Sequence, residues 1–196
     1  LLPRVERINH NNFLPTDVAD AWAMSDYAIC YRDGRDITCK GQLGGESFTE
    51  VETFTTRVGQ YDLLRCGGRH CCAYTLNADN VLCWGKSDDG QAGAINNNLS
   101  PTTVTLNGTI RELALGEITS CALTTAGVEC WGDNEYGQFG NGATSNTPIT
   151  NPVVGIEDRA LSFDHVTAGN ERLFCGSMTG SLRCWGQVDE ESNGYN

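Results

Sequence analysis

Short runs of β-branched and aromatic residues alternate with polar positions along the chain, and Gly, Asn and Asp separate these runs. Residues 46–58 show the alternation, with Phe48, Glu50, Glu52 and Phe54 on one side. A period of two is typical of a strand, and its charges suit the edge of a sheet. The clusters between runs predict tight turns. We therefore predict an all-β fold, although Thr16 to Met24 has the cap and the composition of one short helix.

One pattern of cysteine, tryptophan and glycine recurs along the chain. The fullest copy begins at Cys121, continues through Cys130-Trp131-Gly132 and ends with a Gly-Gln-x-Gly tail at residues 137–140. The copy at 72–93 keeps the same distance from tryptophan to tail, the copy at 175–186 lacks the tail, and the copy at 30–44 has lost the tryptophan. Similarity at a regular period indicates a solenoid, a propeller or an array of repeats.

The repeats divide the chain into an N-terminal arm (1–18), a repeat domain (19–187) and a C-terminal tail (188–196). Each repeat is predicted to hold one β-hairpin, at 30–39, 72–83, 121–130 and 175–184. A small residue stands five or six positions before each hairpin's first cysteine: Ser25, Gly67, Gly116 and Gly169. Such a residue permits a turn or close packing between neighbouring repeats. The segments 94–109 and 141–161 are predicted to be connecting loops.

The chain has ten cysteines, and eight of them follow the register of the hairpins. A hairpin sets its two cysteines on adjacent antiparallel strands, at a separation that a disulfide can bridge. The two remaining cysteines are expected to pair with each other because Cys72 belongs to the repeat. The predicted pairs are Cys30 with Cys39, Cys66 with Cys71, Cys72 with Cys83, Cys121 with Cys130, and Cys175 with Cys184.

Zinc binding is the alternative use of these cysteines. Zinc sites use short Cys-x2-4-Cys spacings, whereas three of the hairpin pairs are nine residues apart, and His10, His70 and His165 are isolated. Disulfides are favoured, and five of them require an oxidising compartment, so we expect a secreted, lumenal or cell-surface protein. Since the chain begins at Leu1, we expect any export signal to have been removed.

The formal net charge is −12, and Lys40 and Lys86 are the only lysines. This composition argues against nucleic acid as a partner, because phosphate binding needs a basic surface. The acidic residues are scattered, which favours solubility over an acidic docking face. No run of about 18 apolar residues is present, so no membrane span is expected.

Two Asn-x-Ser/Thr sequons, at Asn98 and Asn107, lie in the predicted loop 94–109. Both asparagines are glycosylation candidates if the source is eukaryotic, and chance occurrence is the alternative.

The combination of Trp-Gly, Gly-Gln-x-Gly and the Ala122-Leu123 pair resembles the regulator-of-chromosome-condensation repeat, over roughly residues 19–187. His70, two residues before Cys72, also fits that family's pattern. The resemblance implies a β-propeller with one four-stranded blade per repeat. It further implies that the tryptophans pack between blades and that the glycines after them permit tight turns. These repeat-core residues are Trp84, Trp131 and Trp185, with Gly85, Gly132 and Gly186.

The chain also departs from that family. The founding members are nuclear exchange factors for a small GTPase and lack the cysteine pairs, so exchange activity is not expected here. The cysteine-paired form is closer to the extracellular repeats of Crinkly-type plant receptor kinases and to secreted bacterial and algal proteins, including a β-lactamase-inhibitor relative. The family usually has seven blades. We predict a propeller-like array of about four disulfide-stapled blades that closes alone, stays open, or is completed by another chain.

No catalytic or metal site is expected. Ser120, and Ser162 near Asp164 and His165, lack the context of a nucleophile, and Asp88-Asp89 and Asp133 have too few ligands for calcium. We therefore expect no cofactor and no enzyme activity. The predicted function is a secreted, non-catalytic module that binds a protein or a glycan, or assembles with copies of itself through exposed blade edges. Alternatives are a subunit of an extracellular filament or sheath, and an inhibitor-type propeller.

Overall fold

The computed structural model describes residues 21–33, 36–43, 52–57, 61–95, 100–156, 163–169 and 172–187. Within these ranges all regular structure is β, which confirms the all-β prediction, and no helix is long and apolar enough to cross a membrane. The arm (1–18) and the tail (188–196) lie outside the described residues. The candidate helix is wrong where it can be compared, because Trp22–Met24 is a strand whose backbone pairs with a neighbouring strand.

Fifteen described strands form four antiparallel sheets in chain order, and each sheet is one blade. Blade 1 holds strands β1 to β4, blade 2 β5 to β8, blade 3 β9 to β12, and blade 4 β13 to β15. The strands are β1 (Trp22–Met24), β2 (Ala28–Asp33), β3 (Asp36–Gly41), β4 (Glu52–Arg57), β5 (Leu63–Cys66), β6 (His70–Tyr74), β7 (Asn80–Gly85), β8 (Thr102–Thr105), β9 (Ile110–Leu115), β10 (Thr119–Thr124), β11 (Gly127–Asn134), β12 (Ser145–Ile156), β13 (His165–Ala168), β14 (Leu173–Met178) and β15 (Ser181–Gly186).

The first strands of consecutive blades contact one another: β1 with β5, β5 with β9, and β9 with β13. Each sheet then runs outward from this strand in chain order. First strands therefore line the inside of the array and last strands lie at its outside, as in a β-propeller.

The second and third strands of each blade form the hairpin that carries the cysteines. In all four hairpins the two cysteines are directly opposite in the strand register, for example Cys121 opposite Cys130. The structure contains the five expected disulfides, including Cys66–Cys71 at the β5–β6 corner, and no free cysteine.

The outermost strands correct the prediction that 94–109 and 141–161 are loops, because β8 and β12 lie within these segments. An outermost strand has a partner on one side only, so polar residues and prolines such as Pro148 and Pro152 are tolerated there. Their Thr, Val and Ile residues suit an extended chain. The composition that indicated loops is therefore that of edge strands.

Three hydrophobic clusters lie between consecutive blades. The cluster between blades 1 and 2 joins Ile37 to Leu64 and Trp84, and the cluster between blades 2 and 3 joins Val81 to Trp131. The cluster between blades 3 and 4 is completed by the half-buried Trp185, whose indole stacks on Phe174. Each tryptophan thus packs against the blade before its own. Blade 1 is the first described blade, and Lys40 stands at its tryptophan position.

The glycine after each tryptophan has no room for a side chain. Gly132 has a φ of +104°, and a Cβ there would lie 2.5 Å from the carbonyl oxygen of Ile118. The same oxygen accepts a hydrogen bond from Asp133 N at 3.0 Å. A side chain would therefore break the base of the hairpin. The equivalent glycines, also at positive φ and against a carbonyl, are Gly41, Gly85 and Gly186.

Candidate functional site

The turns between the first and second strands of the four blades surround one cavity of about 520 Å³, which we call the axial cavity. Its lining includes Ser25, Gly67, Gly116 and Gly169, the small residues that precede the four hairpins. The repeat pattern thus places one small residue from every blade at a common site.

Two of these turns pack backbone against backbone. Gly68 N donates a 3.2 Å hydrogen bond to the carbonyl of Gly116 in the next blade. A Cβ added at Gly67 would lie 2.0 Å from the same oxygen and 2.7 Å from the His70 ring. Between blades 2 and 3 the wall of the cavity is therefore main chain, and the side chains at the turn tips lie at its mouth.

The mouth of the cavity carries two exposed carboxylates and an aromatic ring. Asp26 lies in the blade 1 turn and Glu117 in the blade 3 turn. The exposed ring of Tyr27 lies beside Asp26, with the Arg69 guanidinium 4.5 Å from its centroid. Because Arg69 already lies over this ring, the two carboxylates are the groups at the mouth that favour cationic groups of a partner.

His70 and Ser120 lie fully buried behind the cavity wall. The Ser120 hydroxyl donates to the carbonyl of Gln91 at 2.8 Å, so its oxygen accepts a hydrogen bond from the N–H at His70 Nε2, with 2.9 Å between the nitrogen and the oxygen. Within the described part of the chain, His70 Nδ1 has no hydrogen-bond partner, and burial lowers the pKa of the imidazole to about 4. The serine proton points away from the histidine, so this pair is not a nucleophile with its base. It holds blade 2 against blade 3.

The other residues with possible chemistry are not assembled into a site. Ser162 lies outside the described residues, while Asp164 and His165 are exposed, and His165 Nδ1 is 3.5 Å from Glu112 Oε2. The Asp133 carboxylate accepts hydrogen bonds from Glu135 N and Gln138 Nε2 within its own turn.

Asp88 and Asp89 occupy the matching turn of blade 2. Lys86 Nζ is 3.5 Å from Asp88 Oδ2. Burial, and then the neighbouring carboxylates of Asp133 and Asp88, raise the pKa of Asp89. Among the described residues, neither aspartate belongs to a group that could hold a metal ion.

Three sulfur atoms are the one set of potential metal ligands found among the described residues. The Sγ atoms of Cys30, Cys66 and Cys71 lie within 4.8 Å of one another. All three belong to disulfides, which lack the thiolate that zinc requires.

The structure describes the asparagine of only one of the two sequons. Asn98 lies outside the described residues, whereas Asn107 is exposed at the end of blade 2. Its Nδ2, the atom that would carry a glycan, donates at 2.8 Å to Glu129 Oε2. Since a substituted amide keeps one N–H, this contact is compatible with a glycan, and glycosylation remains a prediction.

Glu129 is a buried carboxylate that the sequence analysis missed. It accepts four hydrogen bonds, from Asn107 N and Nδ2, Gly108 N and the Thr124 hydroxyl, all between 2.7 and 2.8 Å. Strand alternation distinguishes it from Val128 and Cys130 but does not reveal what covers it. Only the fold brings the loop after β8 over this carboxylate, which fastens blade 2 to blade 3.

Comparison with known proteins places these repeats among characterised sequences. No protein-family model matches the chain. The chain is 31% identical to the ultraviolet-B receptor UVR8 of Arabidopsis thaliana over 88% of its own length and 38% of that protein. It is 40% identical to the human E3 ubiquitin-protein ligase HERC2 over 47% of its length and 2% of that protein. The chain thus spans much less than two thirds of these relatives.

A solved structure with the same fold is that of Kap60 bound to yeast RCC1 (Prp20). It matches with a TM-score of 0.66 at 18% identity, over 84% of this chain and 43% of that chain.

Proposed function

Because the chain belongs to the regulator-of-chromosome-condensation-like repeat family of β-propellers, we propose that it is a non-catalytic interaction module. Its partner is a protein that presents Lys or Arg side chains. The binding surface is the mouth of the axial cavity.

The observation that carries the proposal is the division of roles between cavity wall and mouth. The buried polar side chains His70, Ser120 and Glu129 each make hydrogen bonds between blades. The charged residues of the cavity lining are Asp26 and Glu117, which are exposed side chains of turn tips, while the Arg69 guanidinium beside them lies against the Tyr27 ring. Variable tips on a rigid scaffold are the usual location of binding residues.

What the relatives are described as binding supports a protein partner. The yeast propeller is described in complex with Kap60, and a second structure of it is described with its binding to Gsp1p and histones. Those partners are not transferred to this chain. HERC2 is a ligase, but the chain matches only 2% of it, so ligase chemistry is not part of the proposal.

Five disulfides indicate an oxidising setting, and we propose that the module acts outside the cell. Glycan binding, glycosylation, a filament role and an inhibitor role remain predictions. Self-association through blade edges also remains a prediction; no described strand pairs with the outer side of β15.

The test is binding of fluorescent peptides that differ in charge. A panel of Lys- and Arg-containing peptides and acidic counterparts of the same length is titrated with the full chain by anisotropy. We expect binding of basic peptides alone, and a loss of about tenfold or more in affinity for the double variant Asp26→Asn/Glu117→Gln.

The matched control is Glu135→Gln/Asp164→Asn, which removes the same two charges from exposed sites away from the cavity lining. Equal weakening by both double variants would indicate a general effect of net charge and would contradict a site at the mouth. So would binding of the acidic peptides with equal affinity.

A further inference from the structure

Two disulfides of neighbouring blades lie in contact with each other. Cys30–Cys39 joins the two strands of the blade 1 hairpin, and Cys66–Cys71 lies at the β5–β6 corner of blade 2. The Sγ atoms of Cys30 and Cys71 are 3.5 Å apart, and both side chains belong to the hydrophobic cluster between these blades. A new bond between these two sulfurs needs an approach of about 1.5 Å, because a disulfide is about 2.0 Å long.

The Cys66–Cys71 disulfide stands outside the repeat pattern. Its two residues are five apart and directly opposite in the strand register, so backbone pairing already holds them together. The corresponding pair in blade 3 is Leu115 opposite Ser120, which has no such bond. A disulfide constrains the unfolded chain less as its loop becomes shorter. This bond is therefore expected to contribute the least of the five to the stability of the fold.

Access from solvent differs between the four sulfurs. Cys66 is half-buried and lines the axial cavity. Cys30 and Cys71 have 0% of their surface exposed, and Cys39 has 2%. Attack on a disulfide depends on which of its sulfurs an incoming thiol can reach. A thiol that enters the cavity therefore meets Cys66, and the sulfur displaced from Cys66 is the buried one that contacts blade 1.

We propose that the axial cavity is a thiol–disulfide exchange site, at which a small aliphatic thiol bonds to Cys66 and the exchange passes on to blade 1. The thiolate attacks Cys66 Sγ, a mixed disulfide forms, and the electron pair of the broken bond stays on Cys71. The Cys71 thiolate then attacks Cys30 Sγ, which forms a Cys30–Cys71 bond and releases Cys39 as a thiolate that takes up a proton. One thiol is consumed and one is released, so the sequence needs no oxidant or reductant.

The product replaces a disulfide within blade 1 by a disulfide between blades 1 and 2. Cys30 and Cys71 are 41 positions apart, whereas Cys30 and Cys39 are nine apart. The longer loop constrains the unfolded chain more strongly. The thiol content of the surroundings thus changes how two blades are joined. This reaction goes beyond the interaction module proposed above, because it needs no protein partner.

The first experiment treats the full oxidised chain with limiting 2-mercaptoethanol under native conditions. Acid stops the exchange, free thiols are alkylated with N-ethylmaleimide in denaturant, and unreduced peptides are mapped by mass spectrometry. We expect mercaptoethanol on Cys66, maleimide on Cys39, and a peptide pair joined through Cys30 and Cys71. Absence of a Cys66 adduct would overturn the site. A Cys66 adduct in which the Cys30–Cys39 bond stays intact would overturn the transfer to blade 1.

The failure of this proposal and the failure of the proposed function can be told apart. 2-Mercaptoethanol is uncharged, so its reaction does not require the carboxylates of Asp26 and Glu117. An unreactive Cys66 would therefore leave the binding of basic peptides untouched. Loss of peptide binding would equally leave the exchange reaction standing.

The control for direct attack on blade 1 is the double variant Cys66→Ser/Cys71→Ser. It removes the disulfide at the cavity and keeps the Cys30–Cys39 bond. Because that bond is buried, a thiol reaches it only after the blade opens, and we expect Cys39 to be released at least about tenfold more slowly than in the wild type. Equal rates would mean that the thiol attacks blade 1 directly, which would contradict the proposed route.

Two single variants test the transfer without any added thiol. Cys66→Ser leaves Cys71 as a free thiol against blade 1, whereas Cys83→Ser frees Cys72, the next residue of β6, which packs towards blade 3. We expect maleimide on both Cys71 and Cys39 in the first variant, and on Cys72 alone in the second. Maleimide on Cys71 alone would contradict the transfer. The wild-type experiment starts from native pairs, so it separates exchange in the folded chain from mispairing during folding.

Discussion

The indole Nε1 of Trp131 donates a 2.9 Å hydrogen bond to the carbonyl oxygen of Gln91, which belongs to the Gly-Gln-x-Gly tail of the preceding blade. Trp185 makes the same bond to Gln138 of blade 3. The tail of one repeat and the tryptophan of the next repeat therefore form a recurring hydrogen bond between blades. The blade 1 repeat lacks the segment that precedes the tail in the other repeats, and the buried Trp84 Nε1 of blade 2 has no hydrogen-bond partner among the residues that the structure describes.

This difference predicts unequal effects of the same substitution. Trp131→Phe removes a hydrogen bond, whereas Trp84→Phe removes a buried N–H that lacks one. Both lose a similar volume, so we expect Trp131→Phe to cost about 1 kcal/mol more in the free energy of unfolding. Urea denaturation followed by tyrosine and tryptophan fluorescence measures both. Equal losses would mean that the indole hydrogen bond contributes nothing to stability.

The buried imidazole of His70 predicts that stability depends on pH. The pKa of His70 is about 4 in the folded chain, against about 6.5 when unfolded. Between these values the unfolded chain binds more protons, so stability falls as the pH is lowered from 6.5 to 4, by about 3 kcal/mol for this group.

The control is His70→Gln, which keeps a donor for Ser120 and does not titrate. Asp89, whose pKa is raised in the folded state, contributes with the opposite sign, since its contribution is lost as the pH rises. The difference between the denaturation curves of wild type and His70→Gln isolates the histidine. A difference that is constant from pH 4 to 7 would contradict its neutral burial.

Glu129→Gln, which replaces one carboxylate oxygen by an NH₂ group, is expected to lower the stability of the fold strongly. Glu129→Gln places an amide N–H₂ against donors such as Gly108 N and the Thr124 hydroxyl, and buried donors without acceptors are costly. We expect a loss of about 3 kcal/mol and faster hydrogen exchange at Gly108 N. Glu135→Gln, at an exposed turn, should change stability by less than about 0.5 kcal/mol. Unchanged protection of Gly108 in Glu129→Gln would disprove the role.

Two glycines of blade 3 allow the cost of a steric clash to be measured apart from the cost of a positive φ. Gly132 and Gly137 both have positive φ, of +104° and +75°, but a Cβ at Gly137 has nothing within 4 Å. Gly137→Ala is expected to cost about 1 kcal/mol, the penalty of the left-handed conformation. Gly132→Ala adds a clash with the Ile118 carbonyl, so we expect about 3 kcal/mol. Thermal denaturation of the pair should rank them in this order; the reverse order would refute the clash.

The disulfides should be reduced in the order of their exposure. Cys184 is exposed, whereas Cys121 and Cys130 are fully buried. A phosphine reductant under native conditions is expected to open Cys175–Cys184 first. Alkylation and peptide mass spectrometry identify the opened pair. Reduction of Cys121–Cys130 at the same rate would indicate that the blades open together.

Most of the fold prediction rested on the spacing of cysteines, tryptophans and glycines along the sequence. The nine- or eleven-residue separation around a turn sets Cys121 opposite Cys130, and the same reasoning holds for the other hairpins. The outermost strands were missed because β8 and β12 have a partner on one side only, so little burial is imposed on their sequence. The buried contacts of His70 and Glu129 were also missed, because their partners come from the neighbouring blade.

The sequence by itself determined the repeat, the hairpins and the family, because these depend on residues within about twenty positions of one another. Tertiary structure alone decided how the repeats meet. It placed Gly67 and Gly116 on one cavity, joined Trp131 to Gln91, and left Trp22 and Leu182 exposed on the first and last described blades. The physical reason is that burial at these positions depends on the neighbouring blade. Leu182 has the same hairpin spacing as the buried Val128, and only the absence of a following described blade makes it a surface residue.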